Sequence, residues 1–276
     1  MATRTWAGDD STTPNSWSVA GNWVENSVPV STDDVYIPAG SLDITAGLNQ
    51  SAVTLNSLTI QQGYTGDIGS SAGYLQIGIT SGSNVFITAS GGTQFIDFGA
   101  STTDVSVMGT GGASTGNSAL NIIGSALDVI DIASGNVGIA RPPGDTATVT
   151  TLRLRGGNLY VADGVTLTTL ELSGGSASVY SGGTTVEVFG GTVNLVEGAY
   201  TTVTVWDGTV KSGTVGTITT LNANGGFVDF SVSGIPRTVT TANVNAYNDV
   251  NVEYDSSVVT ISTLNQPGRP VTVSWS

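Results

Sequence analysis

The chain contains no cysteine and no histidine, and its single lysine is Lys211. Without thiols or imidazoles there is no disulfide framework, no cysteine- or histidine-held metal site, no thiol nucleophile and no histidine acid–base chemistry. Lack of disulfides is compatible with assembly in a reducing cytoplasm, although many exported proteins share it. Basic residues are also scarce, six arginines and that lysine against 21 acidic residues, for a net charge of −14. A surface so acidic repels phosphate backbones, which argues against nucleic acid as a partner and accounts for solubility. No apolar run reaches the roughly 18 residues of a membrane-spanning helix, so no membrane span is expected. The opening Met1-Ala2-Thr3-Arg4-Thr5-Trp6 lacks the apolar core of a secretory signal, so none is expected there. Only 10% of residues are charged and 39% are hydrophobic, with 38 glycines, which describes a rigid all-β body more than a disordered chain.

What is present is a repeat. Five segments read apolar–x–apolar–x–Gly–Gly–x–apolar–x–apolar, at 152–161, 170–179, 186–195, 203–212 and 221–230. The glycine pairs are Gly156-Gly157, Gly174-Gly175, Gly190-Gly191 and Gly225-Gly226, with Asp207-Gly208 in the fourth segment, at steps of 18, 16, 17 and 18 residues. So short a period leaves no room for a helical hairpin, and alternation with period two is a strand signal. Each segment therefore reads as one coil of a β-solenoid, two short strands meeting at a glycine corner. If coils stack in register, equivalent residues pile up about 4.8 Å apart. The columns predicted to face inward are Leu152/Leu170/Val186/Val203/Leu221, Leu154/Leu172/Val188/Val205/Ala223, Leu159/Ala177/Val193/Val210/Val228 and Val161/Val179/Leu195/Ser212/Phe230. Nineteen of these twenty places are apolar, Ser212 being the exception. The residues between them, Arg153/Glu171/Glu187/Thr204/Asn222 and Tyr160/Ser178/Asn194/Lys211/Asp229, are mostly polar and are predicted to face outward.

Residues 1–48 differ in composition and hold three of the five tryptophans, Trp6, Trp17 and Trp23. The end of a solenoid exposes apolar side chains and unpaired strand edges and must be covered, so this region reads as a cap that also serves attachment. The series Trp6-x-Gly8, Trp17-Ser18-x-x-Gly21-Asn22-Trp23, Pro29 and Asp33-Asp34-Val35-x-Ile37-Pro38 resembles the openings of large parallel β-helix proteins of bacterial surfaces and phage virions. Leu55-x-x-Leu58-Thr59-Ile60 and Gly63-Tyr64-Thr65-Gly66-x-Ile68-Gly69 continue the likeness, which covers about the first 80 residues and implies an architecture, not an activity. The expected fold is an all-β parallel β-helix (β-solenoid), right-handed, with a Trp-rich N-terminal capping region. Residues 1–48 are the cap and 49–276 the solenoid: irregular coils over 49–145, regular coils of about 17 residues over 146–235, and closing strands over 236–276. Strands are predicted at 57–60, 74–79, 84–88, 95–98, 105–108, 120–123, 127–132 and 137–139. Arg141-Pro142-Pro143-Gly144-Asp145 marks the change from irregular to regular coils.

Parallel β-helices also host polysaccharide lyases and glycosidases, so chemistry has to be weighed from the residues. Glu171 and Glu187 are neighbours in an outward column, close enough for the carboxylate pair of a glycosidase. Arg153 one coil away makes a surface charge ladder the simpler account. Asp128 with Asp131, Asp33 with Asp34, and Lys211 near Asp207 form no denser cluster, and no nucleophile elbow, phosphate loop or calcium loop is present. No catalytic, cofactor-binding or metal residues are therefore assigned. The contact residues assigned are Trp6, Trp17 and Trp23 in the cap, and Phe189 with Trp206, consecutive in one outward column. A loop or Trp275 packing over that pair is the structural alternative. The expected function is a non-enzymatic structural or interaction protein, foremost a phage virion component (capsid decoration, head-fibre or spike subunit) made in the host cytoplasm. Its expected partners are a capsid or other virion protein through the N-terminal region, a host-surface glycan, and further copies of itself. The alternatives are a bacterial surface adhesin or autotransporter-like passenger, and a polysaccharide-degrading tailspike.

Overall fold

The computed structural model describes residues 1–82, 84–112, 118–213, 216–231, 234–245, 250–266 and 272–274. Among them there is no α-helix, only one 3-10 turn at Ala20–Asn22. The strands pair in parallel with strands of the neighbouring coil, and the chain is a β-solenoid. It divides into two compact units, Met1–Thr150 and Thr151–Ser276.

In the first unit, one sheet stacks Thr3–Thr5, Asp34–Ile37, Ser57–Ile60, Asn84–Thr88, Asp104–Gly109 and the last part of Leu120–Ile132. A second sheet stacks Asn49–Leu55, Leu75–Ile79, Gln94–Asp97, the first part of Leu120–Ile132 and Asn136–Ile139. The strands predicted at 120–123 and 127–132 are thus one continuous strand that serves both sheets. Asn49–Leu55 was not predicted, because its Gln50-Ser51-Ala52 run does not alternate and the strand slips register between Gln50 and Thr54. Parallel pairing already begins at Thr3, so residues 1–48 hold the first coil as well as the tryptophan-bearing loop. The segment read as an internal transition folds back on this unit. Tyr74 donates its hydroxyl to Asp145 Oδ2 at 2.5 Å while its ring stands edge-on to Phe95, and Arg141 Nη1 donates to Ser118 Oγ at 2.8 Å. Burial, then the bond to Asp145, raises the Tyr74 phenol above its ordinary range.

In the second unit, one sheet stacks Val165–Leu172, Gly183–Val188, Tyr200–Val205, Thr217–Ala223, Arg237–Val244 and Val259–Asn265. The other stacks Asn158–Val161, Ser176–Val179, Thr192–Leu195, Thr209–Ser212, Gly226–Asp229, Val250–Glu253 and Thr272–Ser274. The observed register is the predicted one: Leu170↔Val186↔Val203↔Leu221 on one sheet and Leu159↔Ala177↔Val193↔Val210↔Val228 on the other. All twenty inward places are buried, Ser212 included. Ser212 has a reason to be small. Buried Arg237 enters the interior beside it and donates to the backbone carbonyls of Ser212 and Phe230. Two residues expected outside, Thr204 and Asp229, are buried instead. Thr204 Oγ1 sits in a ladder under Asn222 Nδ2, and Asp229 turns back to accept from the amide and hydroxyl of Ser231.

The two corner glycines have different jobs. The second adopts φ of +71° to +81° in all five coils, a region L-residues rarely enter. A Cβ on Gly191 would also lie 2.6 Å from the carbonyl of Gly175. The first glycine is needed only for close approach, since a Cβ at Gly190 would meet the Ser173 carbonyl at 2.8 Å. That lesser constraint is why Asp207 is tolerated at this place and nothing but glycine appears at the next.

The register predicts three stabilities. Leu172→Asp buries an unpaired charge among aliphatic neighbours and should cost more than about 4 kcal/mol. Gly191→Ala combines strained φ with a backbone collision and should cost more than about 1 kcal/mol. Glu187→Ser should stay within about 0.5 kcal/mol. Thermal melts of the three variants check this; equal, small shifts would mean the register is wrong.

Candidate functional site

The tryptophans build the N-terminal loop from within. Trp6 and Trp23 face each other in an antiparallel bridge, with ring centroids 5.2 Å apart, and Trp17 packs on Trp23 at 4.8 Å, both contacts edge-on. Trp23 Nε1 donates to the Trp17 carbonyl at 2.8 Å. Asn22, fully buried beside them, ties four segments together: its Nδ2 donates to Thr13 and Ser16 carbonyls, its Oδ1 accepts from Asp10, and its carbonyl accepts from Ala7 and Gly8. The outer edge of strand Thr3–Thr5 is closed by this loop, because Val24 donates to the Thr5 carbonyl and the Thr5 amide donates to Glu25 Oε2. That is the capping the sequence called for, at the backbone level. The three rings themselves are buried, at 3% exposure or less, so they hold the loop together and present no face to a partner. The large apolar side chains that residues 1–48 do expose are Met1, Val24, Val30 and Leu42, which the sequence did not mark.

Asp33 fastens the same region. Its carboxylate accepts from the Ala2 amide and from Arg4 Nε, both at 2.9 Å, and from the Val30 amide at 3.3 Å. Burial alone would raise this carboxyl, but the bonds to Arg4, Ala2 and Val30 outweigh it and hold the group below the usual carboxylate range. Its neighbour Asp34 does separate work, accepting from Asn56 Nδ2 and Ser57 Oγ at 2.6 Å.

The carboxylates weighed for catalysis lie where the register puts them, in one ladder that runs Glu171↔Glu187↔Thr204↔Asn222↔Asn243↔Asn265. Arg153 Nε bonds Glu171 Oε2 at 2.7 Å. Beyond Thr204 the ladder is made of amides, Asn243 Nδ2 to Asn222 Oδ1 and Asn265 Nδ2 to Asn243 Oδ1, each 2.8 Å. Sequence reading missed these last two rungs by treating 236–276 as loosened closing strands. The signal was Leu221-Asn222, Ala242-Asn243 and Leu264-Asn265, an apolar residue followed by asparagine at longer steps. Among the described residues no three Asp or Glu side chains gather as a metal site, and no helix is long and apolar enough to cross a membrane. A cleft of about 300 Å³ in the first unit is lined by Gln76, Asp97 and Ser101. Its groups are engaged locally: Asp97 accepts from Gly99 and Ser101 Oγ from the Ile79 amide.

Phe189 and Trp206 stack on successive coils, outside, as parity predicts. Their rings are parallel within 5° with centroids 6.4 Å apart, and each residue is 48% exposed. Their backbone amides donate to Leu172 and Val188 in the preceding coils, as do those of Ser173, Asn224 and Asn245 to Leu154, Val205 and Ala223. One column therefore runs Arg155, Ser173, Phe189, Trp206, Asn224, Asn245, and Asn245 Nδ2 donates to Asn224 Oδ1 at 2.6 Å. Trp275, named in the alternative in which the pair is covered, lies outside the described residues. The fold and these two places define a β-solenoid with a closed N-terminal edge and an exposed aromatic pair. No protein-family model matches the chain, and no curated protein or solved structure matches it.

Acid should act through Asp33. The unfolded chain titrates this carboxyl near about 3.9, and the folded value is lower, so its stabilisation is complete above that pH and is lost as the pH falls through the folded value. Asp33→Asn should lower the melting temperature at neutral pH and flatten its fall below about pH 4. An equally steep acid limb in the variant, followed by calorimetry, would remove Asp33 from the account.

Proposed function

We propose that this chain is a non-enzymatic structural protein of a phage virion, a capsid decoration, head-fibre or spike subunit made in the host cytoplasm. Residues 1–48 contact a capsid or other virion protein, and the coils meet the surroundings, including a host-surface glycan. The observation that carries the reading is how polar side chains are spent along the coils. Glu171 is ion-paired to Arg153 and the asparagines bond one another from rung to rung. General acid–base catalysis asks instead for groups that converge on a substrate. The resemblance of the opening residues to virion and surface β-helices supports the location. So does a parallel stack built without cysteine. Val24 and Val30, exposed on a loop whose interior is locked by buried tryptophans, supply a firm apolar contact for the assembly.

Two measurements test this. Incubation with host capsule or lipopolysaccharide should release no reducing ends; release that disappears in Glu171→Gln or Glu187→Gln would make the protein a depolymerase. Cross-linking of intact particles should place the virion contacts within residues 1–48, and contacts confined to 150–230 would overturn the attachment.

A further inference from the structure

Resting on the reading that this chain works by contact, we propose that Phe189 and Trp206 form a binding platform for a neutral pyranose saccharide. Two aromatic rings occupy an outward column whose other members, Arg155, Ser173, Asn224 and Asn245, are polar. Parity keeps the pair out of the core, and each ring remains about half in water. Their planes are parallel, so successive coils hold aromatic faces in one orientation. A pyranose offers the complement, a face of C–H groups that packs on the negative face of an aromatic ring, and a rim of hydroxyls.

The surroundings choose among occupants. Elsewhere in the second unit, among the described residues, the exposed large apolar side chains are Ile235 and Leu264, neither in this column. Two half-exposed rings fall far short of the roughly 800 Å² that each partner contributes to a stable protein interface. A second copy of the chain is thus a poor fit, and a ring-sized ligand a good one. Hydrogen-bonding groups flank the rings. Asp207, the one corner residue that replaces the first glycine of a pair, follows Trp206 directly and is exposed. One of its oxygens accepts the Gly208 amide at 2.7 Å, and a carboxylate has acceptor capacity to spare for a hydroxyl. On the far side, the Asn224–Asn245 amide pair offers both donors and acceptors. Charge bears on the ligand as well: Asp207 adjoins the rings, Arg155 lies two coils away in the column and Lys211 four residues beyond Asp207. With a net charge of −14, however, the chain as a whole disfavours a sulfated or uronic-acid polymer and leaves a neutral sugar unaffected.

The test is calorimetric titration of the full chain with maltohexaose, cellohexaose and chitohexaose, and with a heparin hexasaccharide and decaproline as comparators. At least one neutral hexasaccharide should bind saturably, and Trp206→Ala and Phe189→Ala should each weaken it about tenfold or more. Trp206→Phe, which keeps a ring, should retain most of the binding, and melting temperatures should not move. The proposal is overturned if no neutral hexasaccharide binds, if Trp206→Ala binds like the parent, or if heparin or decaproline takes the platform instead. Its failure is distinct from failure of the contact reading, which would show as sugar cleavage in the same titrations.

Discussion

Parallel backbone pairing between successive coils is the constraint on which everything else here depends. Strands held about 4.8 Å apart in register force residues at equivalent positions to lie on one another. Inside, that turns four alternating positions into buried columns, apolar at every place but Ser212, such as Leu170, Val186, Val203 and Leu221. At the corner it presses one coil's Cα against the previous coil's carbonyl, which is why glycine recurs there. Outside, it sets like beside like. Two glutamates in adjacent rungs repel, and Arg153 on the next rung offsets part of this, while three asparagines in adjacent rungs bond as donor to acceptor.

A parallel stack leaves a strand edge with half of its backbone groups unpaired. The first strand, Thr3–Thr5, solves this with its own chain: Val24 and Glu25 supply the missing donor and acceptor to Thr5. Holding that short loop in place takes a small core of its own, three tryptophan rings and the buried amide of Asn22. Polar groups buried elsewhere follow the same accounting. Arg237 is admitted to the interior where backbone carbonyls of Ser212 and Phe230 receive it, and a serine stands where the other coils carry larger apolar side chains.

These same facts shape the functional proposal. A solenoid commits its backbone and many of its outer side chains to coil-to-coil bonds, so what remains for chemistry is what interrupts a column. The aromatic pair at Phe189 and Trp206 is such an interruption, and Asp207 at the adjoining corner is another. Both lie on successive coils of regular geometry, so the frame around them is rigid, which favours recognition of a flat, repeating ligand.

Register, inward columns and the outward aromatic pair could be read from the residues alone, because a period-two pattern repeated at a near-constant step has only one stacking that keeps nineteen of twenty places apolar. The glycine corners followed from the same repeat. What the amino-acid order could not show was how far the coils extend where the step lengthens, as at Asn243 and Asn265, since insertions hide the repeat from a fixed-period reading. Nor could it tell a tryptophan that presents a ring from one that buries it. Trp6, Trp17 and Trp23 have the same composition either way, and only the fold of the loop around Asn22 turned their faces inward. The Tyr74–Asp145 bond joins residues far apart in the chain. Such contacts are decided by where coils bring segments together, a property of the stack and not of any local pattern.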